Sequence, residues 1–313
     1  MTRLVKLSRL GFGCASVMGK VGRKNSLRAM SEAYDVGVTH FDVARSYGFG
    51  EAESVLGKFV KGRRDKLTIA SKFGVVPPNL SISKRLAMPV ARLASDMFPQ
   101  LKGKLKKKSG ELLAEKRFDL KYAQKCLDES LMQLKTDYID IYLIHEPDLI
   151  FLENELELQG FMESAVSVGK IKSWGNAFKT PENYLKSSKL AGDFAQFEGN
   201  FITYSRCAEI VRNAKNRIVT RPFIGGSEFQ NEFLKIINKS NEVKKLYENS
   251  QFNIGDISLC LSARLAGDEG SVVCSMFLSQ HIQRNSRVLS DIYLNNEMQI
   301  LLDSLTEILG DNS

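Results

Sequence analysis

The feature that most constrains this chain is an eightfold alternation of strand-like and helix-like periods along its 313 residues. "LSRLGFGCA" reads as a first strand, and "NSLRAMSEAYDV" as a helix that stops at Gly37. "VTHFDV" is followed by the helix "EAESVLGKFV", and "LTIASK" is the third strand. Ala123, Cys126, Leu127, Ser130, Leu131 and Leu134 then trace one helical face. "YIDIYLIH" leads to a helix over about residues 153–168, and "KIKSWGNAF" to a helix that Thr180 caps and Pro181 opens. "DFAQFEGNF" precedes "RCAEIVRNA", "RIVTRPFIGG" precedes helical material ending in "DISLCLSARLAG", and "SVVCSMF" precedes "SQHIQRNS". A last helix, about Ser290 to Leu309, has no strand behind it. Eight such units in this length predict an α/β fold, a (β/α)8 TIM barrel forming one domain over residues 1–313. An open doubly wound sheet fits less well, because "GFGCAS" lacks the third glycine of a dinucleotide-binding turn.

No apolar run is long enough to span a membrane, and "MTRLVKLSRLGFG" has no apolar signal core, so a soluble cytoplasmic protein is expected. The five cysteines are scattered through apolar runs, and with only three histidines no metal site is expected. The net charge of +8 is local: from Lys84 to Arg117 ten basic side chains face three acidic ones, a net +7. The segment 81–117 therefore reads as a basic insertion after the third strand, on the side of the barrel where the active rim lies. Within it Leu86, Val90, Leu93, Ala94 and Met97 recur at helical spacing. Three readings of it stay open: a solvated lid, a field that draws in an anionic substrate, and a contact with an anionic membrane surface. It lacks the interleaved aromatic residues of a nucleic-acid binder, so no nucleic-acid partner is expected.

Chemistry in a barrel of this kind gathers at the C-terminal ends of the strands. Side chains alternate along a strand, so His40 and Asp42 share a face, and Asp42 is the last residue before the loop. By the same alternation Lys72 ends the third strand and His145 the fourth. Tyr47 hangs over the same rim from a glycine-rich turn, an unusual place for an aromatic hydroxyl. Singly, each residue has a structural explanation: a helix cap, a buried ion pair, a packed histidine or a surface tyrosine. Together they suit proton transfer to a carbonyl oxygen. A tyrosine holds its proton up to a pH of about 10, and a lysine ammonium beside it favours the phenolate. An aspartate keeps the lysine charged, and a neutral histidine can donate a hydrogen bond to the carbonyl oxygen. No side chain supplies a hydride, so a cofactor must.

The motifs "FDVARSYGFGEAESVLG", "SKFG", "LDESLMQLKTDYIDIYLIHEPD", "GKIKSWGNAF", "QFEGNF" and "RPFIGG" resemble those of the aldo-keto reductases. The resemblance runs from about Leu10 to Asn285. It implies that Tyr47 is the proton donor, that Lys72 and Asp42 tune it, and that His145 orients a small carbonyl substrate. It also implies a nicotinamide cofactor, NADPH before NADH, extended across the barrel mouth, with Asn176, Gln196, Arg221, Phe223, Ser275, Met276, His281 and Asn285 at the contact positions. The family's usual Ser-Asn pair after the fifth strand is replaced by Ala177 and Phe178, and its nicotinamide-stacking aromatic by Thr220. The usual grip on the 2′-phosphate becomes Ser275, Met276 and His281, which leaves Arg284 as either a replacement charge or a solvated residue. These departures keep a second reading open, a cofactor-bound regulatory or binding protein of the same fold with little turnover.

Overall fold

The computed structural model describes residues 5–78, 115–147, 155–186, 192–223 and 227–310. Eight parallel strands close a barrel in sequence order: β1 (Leu10–Gly13), β2 (His40–Asp42), β3 (Thr68–Phe73), β4 (Ile139–His145), β5 (Ile171–Ala177), β6 (Phe194–Glu198), β7 (Asn216–Thr220) and β8 (Ser271–Cys274). β1 pairs with both β2 and β8, which closes the ring. The basic insertion falls outside the described residues as far as residue 114.

Around the barrel run α1 (Arg23–Asp35), α2 (Ala52–Val60), α3 (Leu120–Leu134), α4 (Glu155–Ser167), α5 (Pro181–Lys186) and α6 (Ala208–Asn213). The helical material after β7 resolves into α7 (Ser227–Ile237), α8 (Asn241–Asn249) and α9 (Ile254–Ala266), and α10 (Ser279–Arg287) follows β8. The starts are chemically marked. Asp119 caps α3 by accepting from the Tyr122 N–H, and Asn253 and Asp256 form a reciprocal capping box on α9.

The single last helix expected over 290–309 is instead two pieces. A π-helical turn, Val288–Ile292, continues α10, and a separate helix, α11 (Asn296–Gly310), begins after it. Asn295 makes the break: its Oδ1 accepts from the N–H groups of Glu297 at 2.8 Å and Met298 at 3.3 Å, the geometry of a new N-cap. The apolar period survives the break because Met298, Leu301, Leu302, Leu305 and Leu309 all bury, which is why the pattern reads as continuous.

Two apolar layers hold the fold. The larger lies between strands and helices, with Phe12, Phe41, Ile69, Phe73, Tyr142 and Phe197 buried in it. The smaller fills the barrel itself with Ala70, Ile141, Leu143, Ala177, Phe194, Ile218 and Val273, and Val5 and Leu7 pack against it. β-strand alternation accounts for the partition: Ala70 faces in and Ile69 out, Ile141 in and Tyr142 out.

The packing of α2 on α3 is close enough to demand a glycine. A Cβ on Gly57 would press on the Gln133 carbonyl and lie 2.9 Å from the Leu134 carbonyl carbon. Helix propensity alone makes Gly57→Ala stabilising by about 1 kcal/mol. The backbone contact reverses that sign, and the variant is expected to lose about 1–3 kcal/mol in a denaturant melt.

Candidate active site

The loop that follows β2 is fastened before it carries anything. Arg45 reaches two carboxylates, with Nη1 3.0 Å from Glu53 Oε2 and Nη2 2.5 Å from Glu129 Oε2. The Ser71 hydroxyl donates to the other Glu53 oxygen at 2.6 Å. Glu53 is buried, so this charged group is satisfied from two sides and ties α2, α3 and β3 to the loop. The turn Tyr47–Gly50 then folds with Gly48 at φ 58° and Phe49 at φ 59°. Gly48 is required there, since a Cβ would strike the Val17 carbonyl and approach Met18 Cβ to 2.9 Å.

On this scaffold the four expected residues meet. Lys72 Nζ donates to Asp42 Oδ1 at 2.6 Å and to the Val43 carbonyl at 3.0 Å, and stands 3.5 Å from Tyr47 Oη. The Tyr47 and His145 rings lie edge to face with centroids 5.9 Å apart. Lys72 and Asp42 are buried. The group opens on a cavity of about 870 Å³ that Asp42, Tyr47 and His145 help to line.

The electrostatics follow from this burial. Desolvation loosens the Lys72 proton, but the Asp42 carboxylate and Tyr47 oxygen outweigh it and raise the ammonium's hold on its charge. Desolvation pushes Tyr47 above its ordinary value; Lys72 opposes this and Asp42 adds to it. The lysine thus works in the expected direction, but burial wins, and Tyr47 is firmly protonated. His145 is driven well below the ordinary histidine value by burial, then by Lys72 and Lys116, so it is neutral at pH 7.

The expected cofactor contacts divide. Gln196, Arg221, Phe223 and Ser275 line the cavity, together with Ala177, Phe178 and Thr220. Asn176 alternates with Ala177 and so shares the outward face of β5 with the buried Trp174, away from the barrel interior. Met276 is buried beneath Asn285, whose Nδ2 lies 3.7 Å from its sulfur, and His281 is exposed on α10. Arg284 is neither a free charge nor merely solvated. Its guanidinium forks onto Asp256, with Nε 3.0 Å from Oδ1 and Nη2 2.6 Å from Oδ2.

Sequence reasoning passed over two ion pairs at the cavity. Arg221, held at φ 54°, places Nη1 3.2 Å from Glu198 Oε2. Lys116 Nζ donates to the Glu146 carbonyl at 2.9 Å and lies 3.6 Å from its Oε2. Glu198 and Glu146 stand inside the quoted motifs "QFEGNF" and "LIHEPD", so the signal was a charged residue directly at a strand end. Among the described residues no cluster of three or more His, Cys, Asp or Glu side chains could hold a metal. Also among them, no helix is long and apolar enough to cross a membrane.

The closed eight-stranded barrel agrees with the comparisons to known proteins. The sequence profile of the Aldo/keto reductase family matches residues 9–241, and the chain belongs to that family. It is 28% identical over 178 residues to aldo-keto reductase YhdN of Bacillus subtilis, covering 55% of this chain and 43% of that protein. It is 29% identical over 195 residues to L-glyceraldehyde 3-phosphate reductase of Escherichia coli, covering 59% and 46% respectively. The chain thus spans under half the length of these curated relatives. An aldo-keto reductase from Klebsiella pneumoniae solved in complex with NADPH shares the fold, with a TM-score of 0.63 at 19% identity, over 96% of this chain and 91% of that one.

His40, on the face of β2 that carries Asp42, gives a prediction about pH. Burial is the main cause that lowers its proton affinity to about 4 from 6.5. Between those values the unfolded chain binds more protons than the folded one. Stability from this group is therefore complete above pH 6.5 and is lost as pH falls toward 4. The full loss is at most about 3 kcal/mol. Denaturant melts at pH 7 and pH 5 are expected to show a larger drop for the parent than for His40→Leu.

Proposed function

We propose that the protein is a nicotinamide-dependent carbonyl reductase in which Tyr47 delivers the proton. The observation that carries this reading is the buried Lys72–Asp42 pair, 2.6 Å apart, set beneath Tyr47 at the floor of a cavity that His145 also lines. A cofactor fits the residues present. The cavity of about 870 Å³ has room for a substrate and part of a dinucleotide, and a Cβ on Gly13 would crowd Ser275 Oγ at 3.1 Å. Gln196, Ser275 and Arg221 would hold it. When bound, it supplies a hydride to the carbonyl carbon.

The chain's own residues do the rest. Neutral His145 donates a hydrogen bond to the carbonyl oxygen and orients it. The Tyr47 hydroxyl gives that oxygen its proton as negative charge develops there, and the phenolate left behind is stabilised by Lys72. Asp42 keeps Lys72 charged and in place. Ala177 and Phe178 at the cavity wall, where the family usually has polar residues, favour the alternative of a cofactor-bound protein with little turnover. Turnover assays separate the two. Tyr47→Phe is expected to bind cofactor as the parent does and to lose aldehyde reduction by ~10²-fold or more. An unchanged rate would overturn the mechanism.

The cofactor is NADPH rather than NADH, by a narrow margin. Arg284 would have to leave the Asp256 carboxylate to grip a 2′-phosphate, so much of the gain from that charge is already spent. Titration by the reduced cofactor's own fluorescence is expected to show NADPH binding tighter by about tenfold or less, since one charge-assisted hydrogen bond is worth about 1.5–3 kcal/mol before this competition. Tighter binding of NADH would overturn it.

The substrate is an anionic carbonyl compound, such as a phosphorylated aldehyde. The net +7 of the segment from Lys84 to Arg117 supports this, as does the relative that acts on L-glyceraldehyde 3-phosphate. Neutralising Lys104, Lys106, Lys107 and Lys108 together is expected to lower kcat/KM selectively for a phosphorylated aldehyde, most strongly at low salt. An equal effect on a neutral aldehyde would remove this assignment.

A further inference from the structure

The cavity-lining residue Gln196 makes a contact that its expected place beside the cofactor does not explain. Its Nε2 lies 2.6 Å from Asp42 Oδ2, a buried bond between residues 154 apart in sequence. The two come from β6 and β2, far around the barrel from each other, and both are buried. Along the registers Asp42 leads through Ala70 and Ile141 to Ser173, four residues before Ala177, the partner of Gln196, and the tilt of strands in a closed barrel makes up that offset, so the two inward side chains meet.

The chemistry of the contact leaves little freedom. An ionised carboxylate only accepts, so the amide nitrogen of Gln196 must be the atom that faces Asp42. Its Oε1 is then the atom left for the cavity, and it can only accept. Asp42 in turn is held at both oxygens, by Lys72 on Oδ1 and Gln196 on Oδ2. The three ammonium protons of Lys72 are matched by three oxygens: Asp42 Oδ1, the Val43 carbonyl and, at 3.5 Å, Tyr47 Oη.

We propose that Gln196 is a positioning residue that couples the cofactor to the proton donor. Its amide N–H holds Asp42, Asp42 holds Lys72, and Lys72 faces Tyr47, while its Oε1 accepts from the amide N–H of the nicotinamide carboxamide. The inference rests on the reading of Tyr47 and the cofactor given under Proposed function. Accepting a hydrogen bond at Oε1 polarises the amide and strengthens its donation at Nε2. That draws negative charge on Asp42 away from Tyr47, so the hydroxyl releases its proton more readily when cofactor is present. The groups that face Tyr47 are Asp42 from β2, Lys72 from β3, His145 from β4 and Cys14 just after β1. Burial keeps Cys14 a thiol and His145 an imidazole, so only Asp42 and Lys72 bring charge to it.

The test follows Tyr47 itself rather than turnover. Protein labelled with 3-fluorotyrosine at its nine tyrosines is titrated by fluorine NMR, and the Tyr47 signal is assigned by its loss in Tyr47→Phe. Gln196→Met keeps the side chain's length and removes both amide functions. Without the donor, Asp42 carries its full charge toward Tyr47, and the Tyr47 midpoint is expected about half to one pH unit above the parent's. Saturation with NADP⁺ should move the midpoint less in the variant than in the parent. Should the methionine variant fail to fold, Gln196→Leu also removes both amide functions, and it too is expected to raise the midpoint. A midpoint equal to the parent's in a folded variant overturns the coupling and leaves Gln196 a cofactor contact only. Full turnover by Tyr47→Phe would overturn the underlying mechanism instead, whatever the midpoint does.

Discussion

The buried ion pair between Lys72 and Asp42 is the constraint on which the rest of the site depends. Removing either partner of such a pair strands a charge in the interior, at a cost of about 3–5 kcal/mol. The pair is tolerated because every part of it is answered: Asp42 by Lys72 and Gln196, Lys72 by Asp42, the Val43 carbonyl and Tyr47. That satisfaction draws on β2, β3 and β6, whose inward side chains a closed barrel brings together. It also bears on a tyrosine that remains protonated beside an ammonium, since the loss of water, helped by the neighbouring carboxylate, outweighs the lysine.

Around this pair the protein arranges a second, more peripheral set of charges. Arg45, Glu53 and Glu129 fasten the turn that carries Tyr47 to the helices outside the barrel. Their effect on chemistry is positional: a hydroxyl on a loop can be placed to within tenths of an ångström only if the loop has no freedom of its own. At the cavity mouth, Arg221–Glu198 and Lys116–Glu146 set both signs of charge close together. An anionic group entering there meets cations that already have carboxylate partners, and the same competition operates at Arg284 and Asp256. An anion that bound at these residues would therefore exchange with a carboxylate partner.

The legible part of the structure was the part written in local periodicity. A strand's two-residue alternation and a helix's apolar stripe survive in sequence whatever lies around them, so the eight units, the strand ends at Asp42 and His145, and the split between barrel interior and outer layer could be anticipated, while β3 runs one residue past the expected end at Lys72, to Phe73. The last helix shows the limit. Its apolar stripe continues through Asn295 although the backbone does not, because the break is made by side-chain hydrogen bonds that leave the pattern intact. Asn176 shows another: a one-residue difference in strand phase decides which face a side chain takes, and Ala177 holds the inward position.

By itself, then, the sequence determined the barrel and the three residues at or next to the strand ends with the tyrosine above them, because those follow from period and from order along the chain. The partners were decided only by tertiary structure. That Gln196 reaches across to Asp42, that Arg284 closes on Asp256, and that Arg45 spans two carboxylates depend on residues 154, 28 and as many as 84 positions apart. Distance in space between such residues is fixed by barrel closure and helix packing, and no local pattern records it. The balance of charge at Tyr47 belongs to the same class, since desolvation is a property of everything packed around the group.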